Sequence, residues 1–285
     1  MNLFEPAPSP GCPLCNGKGY RIRAAGEFAK AEKCSCVPVC TRCGGTGSLS
    51  VVENGVAKTG RCRCMKLPDR IRLFNLAGIP AVHGESGLDT FKPIDKPCIL
   101  ALDACQTWQL KFGTGEERRG LVLSGKVGRG KTHLLVGLLK ELVFQYGMAV
   151  RFVEFTRLLA ELKEGYGKGR DGSQILAHLA AVQVLAIDEL GKGRLTDWEQ
   201  SIIDEVVSRR YNAGKSILGT TNFLWKAPDG SPVANHADPN YEKQTLGDRV
   251  GGRVFSRLQE ICCTYPMTGE DFRSKRQQVW DPRMQ

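Results

Sequence analysis

Residues 125–132 read G-K-V-G-R-G-K-T, a complete match to the phosphate-binding loop pattern G-x-x-x-x-G-K-[ST]. Successive backbone N–H groups in such a loop surround an anion, and the following helix directs its positive end at the phosphates. Lys131 would reach the β- and γ-phosphates, and the Thr132 hydroxyl would bind Mg²⁺. The loop therefore requires a strand, a turn and a helix in that order, and it predicts a nucleotide ligand.

The flanking sequence supplies both of the elements that the loop requires. A short apolar run, 120–124, precedes it, as expected of a buried parallel strand. Leucines recur at helical spacing from Leu134 to Leu142, and Gly147 follows where a helix C-cap belongs. The residues predicted to contact the nucleotide are Gly125, Lys126, Val127, Gly128, Arg129, Gly130, Lys131, Thr132 and His133.

Polar residues end two further strands. The apolar run 184–187 leads directly into Asp188 and Glu189, about 56 residues after the loop. Asp188 would bind the Mg²⁺ shell through water, and Glu189 would polarise the attacking water. Asn222 ends the next strand, where its amide could orient that water, although asparagine is also a common turn residue.

Helices and apolar strands alternate from about residue 91 onward, a pattern typical of an α/β domain with a parallel sheet. A short helix, Arg70–Ala77, is expected before it, ended by Gly78. The chain thus divides into residues 1–66, a linker at 67–90 and an ATPase domain at 91–285. The predicted strands are 121–124, Ala149–Phe155, Val182–Ile187, Ser216–Thr220 and Cys262–Tyr265.

Eight cysteines near the start form a repeat with a constant offset of 28 residues. Each copy has a Cys-x-x-Cys pair, a Gly-x-Gly turn, eighteen intervening residues and a Cys-x-Cys pair, and the intervening residues are typical of a β-hairpin. Four thiolates suit tetrahedral Zn²⁺, and the segment has too few apolar residues to fold around a core. The predicted ligands are Cys12, Cys15, Cys34 and Cys36 in the first copy, and Cys40, Cys43, Cys62 and Cys64 in the second.

This repeat predicts two zinc ions per chain, one for each copy. Spacing leaves open an interleaved pairing between the copies, a disulfide framework and an iron–sulfur cluster. With four cysteines per metal no coordination position stays open, which argues against catalysis at these sites. The other four cysteines, Cys98, Cys105, Cys262 and Cys263, lack this spacing and are expected to be small buried hydrophobes.

Composition limits the compartment and the partners. Neither a signal peptide nor an apolar run long enough to span a membrane is visible in the 285 residues, and twelve cysteines without an export signal indicate reduced thiols or metal ligands. The expectation is a cytoplasmic protein with no membrane partner. The formal charge of +10 falls by four once each zinc–tetrathiolate site is counted as −2, which leaves a moderate basic excess.

Two resemblances rest on these motifs. The C-x-x-C-x-G-x-G knuckle resembles the zinc-binding repeat of DnaJ-type co-chaperones over the first 64 residues, without a J-domain. The stretch I-D-E-L-G-K-G-R-L-T-D-W-E, with the segments A-G-I-P, T-T-N, G-G-R-V-F-S-R-L and G-E-D-F-R, resembles the DnaC/DnaI class of AAA+ ATPases, the bacterial replicative-helicase loaders, and the related IstB transposition helpers. The tandem zinc repeat departs from the shorter zinc segment usual in that class.

The resemblance implies a P-loop AAA+ (ASCE) parallel sheet with flanking helices, preceded by a small zinc-bound hairpin domain. It implies that Arg253 is the arginine finger reaching a neighbour's ATP, with Arg257 as the fallback. It also implies that Arg273 is the sensor-2 arginine of its own subunit. Each guanidinium suits the charge of a transferring phosphoryl group, but each could equally be part of a solvated face.

A basic, glycine-rich segment, K-E-G-Y-G-K-G-R, lies between the second predicted strand and Asp188. Its candidate contacts to single-stranded DNA are Lys163, Tyr166, Lys168 and Arg170, since cations neutralise phosphates and an aromatic ring stacks on bases. The resembled family has a DNA-contacting insertion at this place. The alternative is an ordinary surface loop. Arg42, Arg61 and Arg63 in the zinc repeat form a second candidate patch.

These observations favour an ATP-dependent loader that binds the replicative helicase, places it on single-stranded DNA and self-associates through its ATP sites. The implied cofactors are ATP, Mg²⁺ and two Zn²⁺. One alternative is an IstB-like transposition helper that binds duplex DNA and a transposase. Another is a zinc-dependent adaptor whose ATP site is a switch with little turnover, against which the presence of Glu189 argues.

Overall fold

The computed structural model describes residues 4–53, 56–167, 172–193, 196–225, 245–269 and 271. The chain forms two compact units. The first contains residues 1–85 and 139–151, and the second contains residues 86–138 and 152–285. This division groups the helix that follows the zinc repeat with the first unit, while the domain boundaries drawn from the sequence stay a prediction.

The first unit is built on two antiparallel hairpins, one in each cysteine repeat. Strands β1 (Tyr20–Ala25) and β2 (Phe28–Lys33) form the first hairpin, and β3 (Ser48–Glu53) and β4 (Val56–Arg61) form the second. Each hairpin connects its Cys-x-x-Cys turn to its Cys-x-Cys turn, as the sequence predicted.

Helix α1 (Lys66–Leu76) completes this unit and packs on β2. It begins four residues before the predicted start because Pro68 lies in its first turn, where a missing N–H breaks no helical hydrogen bond. Phe74 is fully buried, with its ring 5.5 Å from that of Phe144. The Tyr20 ring stacks on Phe144 at 3.7 Å. An aromatic core therefore joins the first hairpin to α1.

The second unit contains a five-stranded sheet in the order β6-β7-β8-β5-β9. The pairs β5–β8, β7–β8 and β5–β9 are parallel. Every strand predicted from the sequence is present. The strands are β5 (Gly120–Gly125), β6 (Val150–Glu154), β7 (Val184–Asp188), β8 (Ser216–Thr221) and β9 (Cys262–Met267).

Helices connect these strands, as parallel pairing requires. Apolar residues of α4, α5, α6 and α8 form a continuous buried cluster with β7 and β8, and Leu162, Val207 and Leu258 are fully buried within it. Thr196 caps α6 in a reciprocal capping box with Glu199. The helices are α2 (Lys96–Thr114), α3 (Lys131–Glu141), α4 (Phe155–Gly167), α5 (Ser173–Ala181), α6 (Asp197–Asn212), α7 (Leu246–Val250) and α8 (Gly252–Ile261).

Arg210 of α6 is fully buried beneath the amino ends of β7 and β8. Its guanidinium donates to the carbonyl oxygens of Leu179 at 2.7 Å, Val182 at 2.8 Å, Gln183 at 3.1 Å and Ser216 at 2.6 Å. Burial lowers the pKa of Arg210 to about 10, which still leaves it charged at neutral pH. The side chain satisfies carbonyls at the ends of two strands and so fixes the edge of the sheet opposite the predicted nucleotide site.

Cys98, Cys105 and Cys262 are buried, which agrees with their expected role as small hydrophobes, while Cys263 is partly exposed. Burial raises the pKa of the Cys105 thiol to about 12, so this thiol stays protonated and unreactive. Within the described part of the chain, no helix is long and apolar enough to cross a membrane.

Candidate nucleotide and metal sites

The phosphate-binding loop lies between β5 and α3, in the strand–loop–helix order predicted from the sequence. Gly128 and Gly130 both adopt left-handed backbone conformations, with φ of 77° and 81°. A Cβ at Gly130 would lie 2.7 Å from the Phe91 ring, and one at Gly128 would collide with the Asp271 carboxylate. Both positions therefore require glycine for conformation and for space.

Lys131 and Thr132 open α3 inside this loop. The Lys131 ammonium is buried and donates to the carbonyl oxygens of Gly125 at 2.7 Å and Lys126 at 2.5 Å. The Thr132 hydroxyl donates to both carboxylate oxygens of Asp188 at 3.1 Å. The structure thus brings together Thr132, predicted to bind Mg²⁺, and Asp188, predicted to hold its shell through water, although they are 56 residues apart.

Asp188 is enclosed at the end of β7. Burial raises the pKa of its carboxyl group, and the hydroxyls of Thr220 and Thr132 oppose that rise by donating to it. The Thr220 contact is 2.5 Å long. Two hydroxyl donors therefore stabilise a buried carboxylate that a divalent cation would favour further.

Glu189 follows in a left-handed conformation, with φ of 56°, which is uncommon for a residue with a side chain. Its N–H donates to the Thr220 hydroxyl at 3.0 Å. Its carboxylate is 2.6 Å from the Lys192 ammonium, and that contact raises the lysine's pKa. The catalytic carboxylate predicted from the sequence is thus paired with a lysine that the sequence analysis did not single out.

Arg249 of α7 contacts the turn that carries Glu189. Its guanidinium donates to the carbonyl oxygens of Gly191 at 3.0 Å and Gly193 at 2.6 Å, and it lies 4.8 Å from the centre of the Phe223 ring. Sequence reasoning missed this residue because nothing in its local pattern distinguishes it from the other arginines of the tail. Its position indicates that it orders the turn beside the site.

Asn222 follows β8, the strand between β5 and β7. It is half-buried, and the preceding Thr221 hydroxyl donates to the Leu190 carbonyl oxygen at 2.9 Å. The carboxyl ends of parallel strands meet at one edge of a sheet, so Asn222, Asp188 and the phosphate-binding loop share that edge.

Arg129 lies within the phosphate-binding loop, and its side chain packs against Asp95 and Cys98. The guanidinium is fully buried and donates to both Asp95 carboxylate oxygens, at 3.0 and 2.9 Å, and to the Cys98 sulfur at 3.0 Å. Asp95 is also the N-cap of α2, accepting from the Cys98 N–H at 2.9 Å. One carboxylate therefore fixes the loop and starts a helix, a link between residues 34 apart that motif spacing does not signal.

His133 contacts the segment that enters the second unit. Its Nε2 lies 3.2 Å from the Gly87 nitrogen, 3.0 Å from the Gly87 carbonyl oxygen and 3.3 Å from the Thr90 hydroxyl. The ring also meets the edge of Phe91. These contacts position the first turn of α3 against residues 87–91.

The two candidate fingers on α8 differ sharply in their surroundings. The Arg253 side chain is 74% exposed, 3.9 Å from Asp204. The Arg257 side chain is 21% exposed and donates to Asp204 at 2.9 Å and to Ser208 at 2.6 Å. Arg253 is therefore exposed to solvent, whereas Arg257 fastens α8 to α6. Arg273, the predicted sensor, lies outside the described residues.

The predicted DNA-binding segment is described only in part. Lys163 is exposed on α4, and Tyr166 belongs to the last turn of that helix. Lys168 and Arg170 lie outside the described residues. Contacts of this segment to DNA stay a prediction.

The eight predicted metal ligands form two clusters, and each cluster contains the four cysteines of one repeat. Within each cluster all four sulfur atoms lie within 4.8 Å of one another. The closest sulfur pairs are separated by 3.8 and 3.4 Å in the first cluster and by 3.8 and 3.5 Å in the second. Zinc–sulfur bonds of about 2.3 Å in a tetrahedron place sulfurs about 3.8 Å apart, so the geometry fits one zinc per repeat.

Backbone N–H groups directed at the sulfurs support this fit. Gly19 donates to Cys15 at 3.3 Å, and Gly47 donates to Cys43 at 3.4 Å. The Gly47 N–H is the main reason that the pKa of Cys43 falls to about 6. Burial raises the pKa of Cys64 to about 12, and a cation at the centre of the cluster would favour the thiolate of both.

Comparison with known proteins agrees with this geometry. Residues 106–230 match the family described as IstB-like ATP binding protein. The replicative helicase loader DnaC of Escherichia coli K12 is 27% identical over 195 residues, which cover 67% of this chain and 71% of DnaC. A crystal structure of the DnaC helicase loader shares 28% identity with a TM-score of 0.55, covering 66% of this chain and 99% of that structure.

The chain is similar in sequence and in fold to the DnaC/DnaI class of AAA+ ATPases. A crystal structure of DnaI has the same fold, with a TM-score of 0.51 at 20% identity, and covers 68% of this chain and 94% of that one. An uncharacterized Escherichia coli K12 protein, YdaV, is 27% identical over 183 residues. The fold expected from the sequence, a P-loop AAA+ sheet with flanking helices preceded by zinc-type hairpins, is confirmed.

Proposed function

We propose that this protein is an ATP-dependent DNA replication protein that binds a replicative helicase and loads it onto single-stranded DNA. One observation carries the proposal most directly: Thr132 and Asp188 meet at 3.1 Å beside Glu189, in a chain similar to DnaC over two thirds of its length. The arrangement of these residues supports nucleotide binding and hydrolysis. The similarity to DnaC supports a role for them in DNA replication.

The residues of the site have distinct roles in this proposal. The loop N–H groups and Lys131 bind the phosphates of ATP, while Thr132 would bind Mg²⁺ and Asp188 would hold its shell through water. The charge of the bound cation would help to neutralise the phosphates. Glu189 accepts a proton from the attacking water once it is free of Lys192, and Asn222 orients that water.

Hydrolysis is proposed to depend on a second subunit. Arg253 is exposed, and its guanidinium reaches the ATP of a neighbour, where it stabilises the charge of the transferring phosphoryl group. Head-to-tail contacts of this kind form rings or open spirals, depending on whether the rotation between subunits closes. ATP would thus promote self-association, and the rate of ATP hydrolysis would rise as the subunits associate.

The zinc hairpins and the segment 163–170 have the remaining roles. The hairpins dock the helicase, and two Zn²⁺ per chain stabilise them. Lys163, Tyr166, Lys168 and Arg170 contact single-stranded DNA. The sulfur geometry of both clusters supports the zinc assignment.

A second candidate function is that of an IstB-like transposition helper that binds duplex DNA and a transposase. The match of residues 106–230 to the IstB-like family favours it, since that match covers the phosphate-binding loop, Asp188 and Glu189. The zinc repeat favours the loader by analogy with the resembled class.

Co-purification tests the proposal. The full-length chain is expected to retain the host replicative helicase in the presence of ATP, and to transfer it to a single-stranded oligonucleotide. Lys131→Ala should abolish nucleotide binding and transfer, because it removes the cation that contacts the phosphates. Retention of a transposase and not of the helicase would select the second candidate, and wild-type ATP affinity in Lys131→Ala would refute the phosphate assignment.

A further inference from the structure

The two zinc repeats have different surroundings, although their spacing is identical. The first hairpin is fastened to the last turn of α1 and to the residues that follow it. The Asn75 side chain accepts from the Ala31 N–H at 2.7 Å and donates to the Ala31 carbonyl at 3.0 Å. It therefore makes the pair of hydrogen bonds that a neighbouring strand would make with this residue. The Ala29 N–H donates to the Ile79 carbonyl at 2.8 Å. The first repeat is therefore part of a packed core.

The second hairpin exposes the corresponding face. At the offset of 28 residues, Tyr20, Ile22 and Ala31 of the first repeat correspond to three small hydroxylated residues. These are Ser48, Ser50 and Thr59, and all three are exposed. The second repeat thus has a hydroxyl-bearing surface in contact with solvent where the first repeat has a packing face.

A cleft of about 680 Å³ opens beside this second hairpin, in the first unit. Four cationic side chains line it together with two carboxylates. These six residues are Arg61, Arg63, Lys66, Arg70, Glu5 and Asp69.

The carboxylates and the cations of the cleft differ in whether an opposite charge lies beside them. Asp69 accepts from Arg61, and Glu5 lies 4.0 Å from Arg42, so both carboxylates already face a cation. Arg63 and Lys66 are exposed, and Arg63 lies three residues before Lys66, the first residue of α1. Cys62 also lines the cleft, and a zinc ion held by its cluster would leave that cluster with a net formal charge of −2. Arg63 and Lys66 are therefore exposed cations of the cleft, while its two carboxylates each face another cation.

We propose that this cleft and the adjoining face of the second hairpin bind the phosphodiester backbone of a nucleic acid strand. Guanidinium and ammonium groups neutralise phosphates, and serine and threonine hydroxyls donate to phosphate oxygens. Arg63 and Lys66 provide the charge, and Ser48, Ser50 and Thr59 provide the hydroxyls. This site belongs to the first unit and is separate in sequence from segment 163–170. The proposal does not depend on helicase loading, because a transposition helper would also bind a strand.

The test measures binding of a fluorescein-labelled oligothymidylate by the full-length, zinc-loaded protein, using fluorescence anisotropy from 50 to 300 mM salt. In Arg63→Glu/Lys66→Glu the dissociation constant should rise at least about tenfold at 0.1 M salt. The slope of log affinity against log salt should become shallower by about 1.4, since each lost phosphate contact to a single strand contributes about 0.7. Zinc content and the urea midpoint check that the variant is folded.

A charge-matched control lies on the first repeat. Lys18→Glu/Lys33→Glu changes the net charge equally at exposed positions and should leave affinity within about twofold. If the Glu pair does not fold, the neutral pair Arg63→Gln/Lys66→Gln should still reduce the slope. An unchanged slope would overturn the proposal, and so would equal losses in both charge-matched variants. Wild-type DNA affinity with loss of helicase co-purification would identify the cleft as a protein-docking surface and overturn it as well.

Discussion

The Lys192 ammonium lies 2.6 Å from the Glu189 carboxylate, three residues away along the turn that follows β7. Glu189 is the side chain proposed to activate water, so this contact occupies the proposed general base. The turn itself is fixed by Arg249, which donates to Gly191 and Gly193. The carboxylate proposed as the base is therefore paired with a cation in this structure.

Replacing Lys192 by alanine should raise the basal rate of ATP hydrolysis about two- to fivefold. A partly exposed ion pair is worth about 0.5–1 kcal/mol, and this energy opposes release of the carboxylate. Steady-state phosphate release measures the effect. Lys192→Arg retains the pair and should leave the rate unchanged. A lower rate in Lys192→Ala would show that the lysine assists catalysis instead.

Asp95→Asn should weaken both the fold and the nucleotide site. Asparagine can still cap α2, so the change removes the charge that neutralises the buried Arg129 and one of the two oxygens that accept from it. We expect a loss of about 3 kcal/mol in the free energy of unfolding, and a loss of nucleotide affinity on the order of tenfold. Urea unfolding and titration with a fluorescent ATP analogue measure the two effects. Wild-type values for both would contradict the link between α2 and the loop.

Arg253→Ala and Arg257→Ala should have different consequences. Arg253→Ala should leave ATP binding and the unfolding midpoint unchanged and remove hydrolysis, since the side chain is exposed. Arg257→Ala should lower the midpoint, because it loses the contacts to Asp204 and Ser208. Mixing Arg253→Ala with Lys131→Ala should partly restore hydrolysis if the finger acts between subunits. Absence of rescue in such mixtures argues against a shared site.

Cys12→Ser and Cys40→Ser should each remove about one zinc of the two per chain, because each cluster draws its ligands from one repeat. Elemental analysis by mass spectrometry measures the metal. Cys12→Ser should also lower the unfolding midpoint, since the first hairpin is bonded to Asn75 and Ile79, whereas Cys40→Ser should affect it less. Loss of both metals in either variant would indicate pairing between the repeats.

Arg210→Met should destabilise the protein by about 3–5 kcal/mol, because it leaves four carbonyl oxygens at the ends of two strands without the buried guanidinium that donates to them. Arg209→Met is the matched control on the same helix. Its side chain is 45% exposed and pairs only with Glu205 among the described contacts, so the cost should be below about 1 kcal/mol. Equal unfolding midpoints in the two variants would refute the role assigned to Arg210.

The amino-acid sequence alone determined the elements whose form depends on nearby residues. The loop 125–132, the strand before Asp188 and the cysteine spacing each specify a backbone geometry within a few residues, so motif and periodicity were sufficient to predict them. The five strands followed from apolar runs for the same reason. Helix α1 begins at Lys66, before the predicted start at Arg70, because Pro68 is tolerated in a first turn.

Tertiary structure decided the relationships between residues far apart in the chain. Packing directs Arg129 onto Asp95, 34 residues away, and buries Arg257 against α6 while leaving Arg253 exposed. It also assigns each cysteine cluster to a single repeat and bonds the first hairpin to Asn75. These contacts depend on which surfaces are removed from water when the whole chain folds. A local sequence pattern does not specify which surfaces those are.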